Sequence, residues 1–144
     1  MKTCRVLALL IVVATLTLVG CATLSPGADP LVVRVEQGQT VANATFDMVL
    51  KQDNSNRDFW RTNAPAFHQF CEWLRTPSTY QSTTTVPRCV LIELNVDDLK
   101  VAYKASKTAS NSNALWTAFG TLSEVITQAQ SWNTIVTNSI YTHL

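Results

Sequence analysis

The stretch Cys89-Val90-Leu91-Ile92-Glu93-Leu94-Asn95-Val96-Asp97-Asp98-Leu99-Lys100-Val101-Ala102-Tyr103, residues 89–103, decides the fold. Val90, Ile92, Leu94 and Val96 alternate with polar Glu93 and Asn95, which suits a half-buried strand. Cys89, Ile92, Val96, Leu99 and Tyr103 follow a 3-4-3-4 spacing, which suits one face of a helix. The helical pattern holds over the longer distance, and no other segment beyond residue 29 offers a strand a partner. The spacing therefore predicts a helix to about Lys107, with Cys89 in its apolar stripe.

Helical periodicity extends outward on both sides. Asp29-Pro30 supplies an N-cap residue and a proline at the first helical position. Val32, Val35, Ala42, Phe46 and Val49 then lay one stripe along a helix over about Pro30 to Ser55, and Asp53-Asn54-Ser55-Asn56 reads as its stop. Gly38 weakens that helix by about 1 kcal/mol, so close packing on a neighbour is the expected reason for it. A second stretch, about Arg57 to Arg75, is interrupted near Ala64-Pro65. Phe67, Phe70, Cys71 and Leu74 form its inward stripe. Thr76 to Thr85, bounded by Pro77 and Pro87, reads as a solvated loop, with a variable or partner-contacting surface as the alternative. Ser110 to Asn113 reads as turn and cap before a last helix, about Ala114 to Tyr141, with Leu115, Phe119, Leu122, Ile126, Ala129, Val136 and Ile140 on one face. The expectation is an all-α domain over 30–144, an antiparallel bundle of about four helices.

Composition limits the function classes. Of 144 residues, 47% are hydrophobic and 15% charged, with a formal net charge of +1, so one modest folded domain is expected. No excess of Lys and Arg is present to neutralise phosphates, which argues against nucleic acid as a partner.

The amino terminus has the layout of an export signal. Lys2 and Arg5 precede an apolar run, Val6 to Val19, interrupted only by Thr15 and Thr17. That run is shorter than the roughly 20 residues a membrane-spanning helix takes. It ends in Leu18-Val19-Gly20-Cys21, which resembles the lipobox of bacterial lipoproteins. The resemblance implies cleavage between Gly20 and Cys21 by signal peptidase II, a signal peptide over 1–20, and lipid on the Cys21 thiol. Membrane lipid, through acylated Cys21, would then be a partner. Residues 21–29 would form a lipidated tether. Ala22, rather than Asp, after the Cys implies the outer membrane, facing the periplasm, if the host is Gram-negative. The competing reading is an ordinary secretory signal cut a little after Cys21, which leaves a soluble exported protein. Loss of the first 20 residues takes Lys2 and Arg5 with it, so nine basic side chains face ten acidic ones.

Export gives the cysteines their meaning. Cys4 leaves with the signal and Cys21 carries lipid, so Cys71 and Cys89 remain to pair in an oxidising compartment. Their bridge would close a loop of 17 intervening residues, worth roughly 3 kcal/mol on the chain-entropy argument. The alternative is two small buried apolar residues.

Groups for catalysis are scarce. His68 and His143 are the two histidines, and His143 is penultimate. His68, Cys71 and Cys89 make a poor zinc set, because the fourth ligand would have to be that terminal histidine. Asp97 and Asp98 are adjacent, so on a helix they diverge by about 100° rather than share a site. Asn43-Ala44-Thr45 fits a glycosylation acceptor but falls inside a predicted helix. Trp60, Trp73, Trp116 and Trp132 suit either a core or an aromatic ligand pocket.

Several stretches, among them Asp29 to Gln37, Phe46-Asp47, Asn56-Arg57, Leu99 to Ala105 and Ser112 to Leu115, resemble small uncharacterised helical proteins of bacterial and phage-like origin. That resemblance brings no activity and no site residues. The expectation is a membrane-anchored helical lipoprotein of the cell envelope. Its role is structural or protein-interacting, with an envelope protein as partner, no enzymatic activity, and no cofactor or metal. The alternative is an exported binding module for an apolar ligand.

Overall fold

The structure, a computed structural model, describes residues 27–142, with side chains as far as 138. The expected signal peptide, Cys21, most of the tether and His143 lie outside the described residues. Among the described residues five helices and one hairpin follow in order: α1 Pro30–Ser55, α2 Arg57–Asn63, α3 Pro65–Arg75, β1 Pro77–Tyr80, β2 Thr84–Pro87, α4 Arg88–Ala105 and α5 Ala109–Thr142. A boundary between Val33 and Arg34 divides the chain into two compact units.

α1 starts where the sequence places it. The Asp29 carboxylate accepts the Leu31 and Val32 N–H groups at 3.0 and 3.4 Å, satisfying donors the first turn leaves open. At the other end Gln52 O, among the last carbonyls of α1, accepts from the Ser55 hydroxyl at 2.7 Å and from the Trp60 indole at 2.9 Å. α2 begins at Asn56, whose side chain accepts the Phe59 N–H, and Pro65 opens α3 as its first residue. The break at Ala64-Pro65 is therefore a junction between two short helices.

Residues 88–105 are helical, as the 3-4-3-4 spacing predicts. From Arg34 onward the buried apolar residues form stripes on three helices, Val35, Ala42, Phe46 and Val49 on α1, Phe67, Phe70, Cys71 and Leu74 on α3, and Leu115, Leu122, Ile126, Ala129 and Val136 on α5, to which α2 adds Trp60 and α4 adds Cys89 and Val96. Each large side chain so buried contributes about 1.5–3 kcal/mol. Gly38 lets α1 and α5 approach closely, since a Cβ there would lie 2.2 Å from the Phe119 ring.

Chain directions follow from the contacts. Glu36 meets Lys104, Gln39 meets Lys100 and Asp97, and Asn43 meets Glu93, so α1 and α4 are antiparallel. Arg34 lies over Trp116 and Gly38 against Phe119, so α1 and α5 are parallel. A strictly alternating bundle of four would have made the first and third long segments parallel. The difference arises at residues 77–87, where an additional chain reversal is inserted.

That reversal corrects the reading of Thr76 to Thr85 as a loop. Pro77 pairs with Pro87, Ser78 with Val86, Thr79 with Thr85 and Tyr80 with Thr84, in an antiparallel ribbon. Two strands alone are marginal in water, and this pair is tied to its surroundings at both ends. The Arg88 N–H donates to Thr76 O at 3.0 Å across its base, and the Tyr80 hydroxyl lies 2.9 Å from both Asp98 carboxylate oxygens on α4. α5 also begins earlier than the sequence suggests, because the Thr108 hydroxyl accepts the Asn111 N–H and draws Ser110 to Asn113 into the first turn.

Candidate functional site

The most concentrated polar chemistry lies where the end of α1 meets α2 and α3. Asp53 continues the buried stripe of α1 one turn beyond Val49, so its carboxylate is fully buried. α3 brings His68, Glu72 and Arg75 to it, and α2 begins with Arg57. Oδ1 of Asp53 is 2.7 Å from His68 Nδ1, and Oδ2 accepts from Arg75 Nη1 at 2.6 Å. An ionised carboxylate can only accept, so this contact is made by a proton on His68 Nδ1.

Glu72 sits beside this pair and accepts from Arg75 at 2.8 Å and from Arg57. Desolvation works to raise its pKa, but the hydrogen bonds from Arg75 and Arg57 outweigh that and hold the carboxyl below its ordinary value. The same two carboxylates hold Arg75 charged, overcoming its own partial desolvation.

Asp53, His68 and Glu72 each offer a ligand atom within 4.8 Å of the others. Both carboxylates are already engaged by guanidinium groups, however, and two fixed cations repel a third. The donor set fits an ion-pair network better than a metal centre. It also lacks a nucleophile. Burial, with the Asp53 charge adding to it, pushes the Cys71 thiol up to about 12, so Cys71 is not the thiolate that a Cys–His pair needs.

The other residues singled out from the sequence are dispersed. Cys71 and Cys89 are both buried free thiols. The bridge weighed in the sequence is not formed in this structure, and the Cys71 Sγ instead donates to Val49 O at 3.6 Å. Burial raises the Cys89 thiol pKa as well. Asp97 accepts from Gln39 at 2.9 Å, while Asp98 holds the hairpin through Tyr80, so the two acids serve different neighbours. Trp60 belongs to the core, packed edge-on against Phe67. Trp116 and Trp73 are exposed, under Arg34 and Arg88 respectively.

A surface groove of about 710 Å³ follows the α4–α5 seam, floored by Ile92, Leu99, Ala114 and Ala118 and rimmed by Asn95, Asp98 and Asn113. No helix among the described residues is long and apolar enough to cross a membrane.

In the sequence the burial of Asp53 is hidden, because Asp-Asn-Ser-Asn looks like a helix stop. The signal was the spacing itself, since Val35, Gln39, Ala42, Phe46, Val49 and Asp53 fall on one face. A carboxylate in that row needs a buried partner, and His68 and Arg75 lie two turns apart on α3 to supply it. Compared with known proteins, the chain matches no family model, no curated protein and no solved structure.

Proposed function

We propose that the protein is an exported, lipid-anchored helical lipoprotein of the cell envelope, held to the membrane through Cys21, with a structural or protein-interaction role and no catalysis. The anchor rests on the Leu18-Val19-Gly20-Cys21 motif behind a cationic and apolar leader. Two or three acyl chains, at about 0.8 kcal/mol per buried CH2, would hold it there essentially permanently. The domain is a helical bundle in which α2 and α3 act as one broken element.

One observation supports the non-catalytic part. Both oxygens of the buried Asp53 carboxylate are closed, by His68 and Arg75, so the strongest polar cluster joins helices rather than awaiting a substrate. Labelled palmitate fed to expressing cells should enter the protein, and Cys21→Ser should abolish the labelling and release the chain into the aqueous fraction. Unlabelled wild-type protein starting downstream of Cys21 would overturn the anchor.

A further inference from the structure

Between α3 and α5 lies a hollow of about 420 Å³, lined by Ala66, Gln69, Phe70 and Trp73 from one helix and Gln128 and Trp132 from the other. Three of its six residues are aromatic, two are amides, and none is ionisable. The rings are held before any ligand arrives. Trp73 lies nearly parallel to Phe70, at 16° and 6.0 Å between centroids, and the Arg88 guanidinium covers it 4.9 Å from the ring centre. Trp132 packs on Phe67 at 6.4 Å. Rings fixed by their neighbours lose little freedom on binding.

The lining specifies the ligand by what it offers and by what it lacks. The Trp73 and Trp132 indoles offer flat apolar contact, with the Phe70 ring buried beside them, whereas the exposed amides of Gln69 and Gln128 can each donate and accept. A matching ligand has an apolar ring face bounded by groups that also donate and accept, which describes a sugar ring with its hydroxyls. Aromatic clusters also take quaternary ammonium groups. Here the Arg88 charge on Trp73 repels a cation, and no liner supplies an anion to compensate. The volume lies near the lower end of ligand pockets, about 300–1,000 Å³, which suits a sugar unit rather than a large cofactor.

We propose that this hollow binds an uncharged pyranose unit of a glycan, through the Trp73 and Trp132 rings and the Gln69 and Gln128 amides. The reading stands whether or not Cys21 carries lipid. Four tryptophans give four indole N–H signals in a nitrogen-15 NMR spectrum of the full-length chain. Titration with tri-N-acetylchitotriose, and separately with cellotriose, should move the Trp73 and Trp132 signals saturably in the millimolar range with at least one sugar, leaving Trp60 and Trp116 in place. Gln69→Ala and Gln128→Ala alter exposed side chains and should leave the fold intact. Each should weaken binding severalfold, as loss of one hydrogen bond implies. The proposal is overturned if neither sugar gives a saturable shift, if all four indoles move alike, if the Gln variants bind as well as the parent, or if choline chloride binds at least as tightly.

Discussion

Arg75 reaches from α3 to the buried carboxylate of Asp53 on α1, placing Nη1 2.6 Å from Oδ2, and its second amino group donates to Leu50 O at 3.2 Å and Asn54 Oδ1 at 2.8 Å. One guanidinium thus holds three successive points near the end of α1. The carboxylate is fully buried whereas the arginine side chain keeps 24% exposure, so the two ends of this pair are not equivalent. Loss of the arginine leaves a buried anion, while loss of the aspartate leaves a cation that can turn toward water.

Arg75→Met should therefore be the more damaging single change. It should cost about 3 kcal/mol or more, the range for a buried charge deprived of its partner, with Asp53→Ala costing less. Asp53→Leu combined with Arg75→Met should recover much of the loss, because an apolar pair of similar volume removes both desolvation penalties. Urea unfolding of the three variants measures this. An Arg75→Met cost under about 1 kcal/mol would mean that Arg57 and His68 suffice to hold the carboxylate.

The helices were legible because each carries local signals that agree with its tertiary surroundings. Asp29-Pro30 caps α1, Pro65 opens α3, and the 3-4-3-4 row over 89–103 outlasts the alternating one. The hairpin was not legible, since its turn uses neither Asn-Gly nor Asp-Gly. Gln81 and Ser82 adopt positive φ, +49° and +63°, which ordinary side chains resist by roughly 1–2 kcal/mol each. Its position is set by distant partners, Tyr80 with Asp98 and Arg88 with Thr76, which no local window contains. The Asp53 network was half legible. In the sequence Asp53 belongs to a helix stop, His68 is a lone histidine, Arg75 is a helix end and Glu72 carries no signal, and only the packing of α3 on α1 makes them one object.

Gly38 and Phe119 give a prediction whose sign depends on packing. In an isolated helix Gly→Ala stabilises by about 1 kcal/mol. Here the added methyl would stand 2.2 Å from the Phe119 ring, and overpacking of that kind costs about 1–3 kcal/mol. Gly38→Ala should accordingly lower the midpoint of thermal unfolding. In a Phe119→Ala background the same change should raise it, since only the helix preference then remains. An increase in both backgrounds would show that the ring moves aside freely.

The two free thiols can be tested by labelling. With burial raising both pKa values, Cys71 to about 12, neither should react appreciably with iodoacetamide in the native protein at neutral pH. After unfolding in urea without reductant, both should be alkylated, and mass spectrometry of the peptides should place one label on each residue. Label taken up at Cys71 and Cys89 only after reduction would show a bridge between them in the isolated protein.

Two glutamates should give stability opposite pH dependences. Glu72 holds its proton less readily in the folded chain than in the unfolded one, where its value is near 4.5. Its contribution is therefore complete above that value and disappears as the pH falls through the lower folded one. Glu93 is the reverse, because desolvation raises its pKa more than the Asn43 contact lowers it. Its ionisation begins to cost stability as the pH rises through about 4.5 and costs most above its higher folded value. At pH 7, Glu72→Gln should thus destabilise and Glu93→Gln should stabilise, with both differences shrinking toward zero as the pH is lowered past the respective folded values. Urea midpoints measured from pH 3 to pH 7 follow this directly. A Glu93→Gln variant less stable than the parent at pH 7 would mean that the Asn43 hydrogen bond, rather than desolvation, governs that side chain.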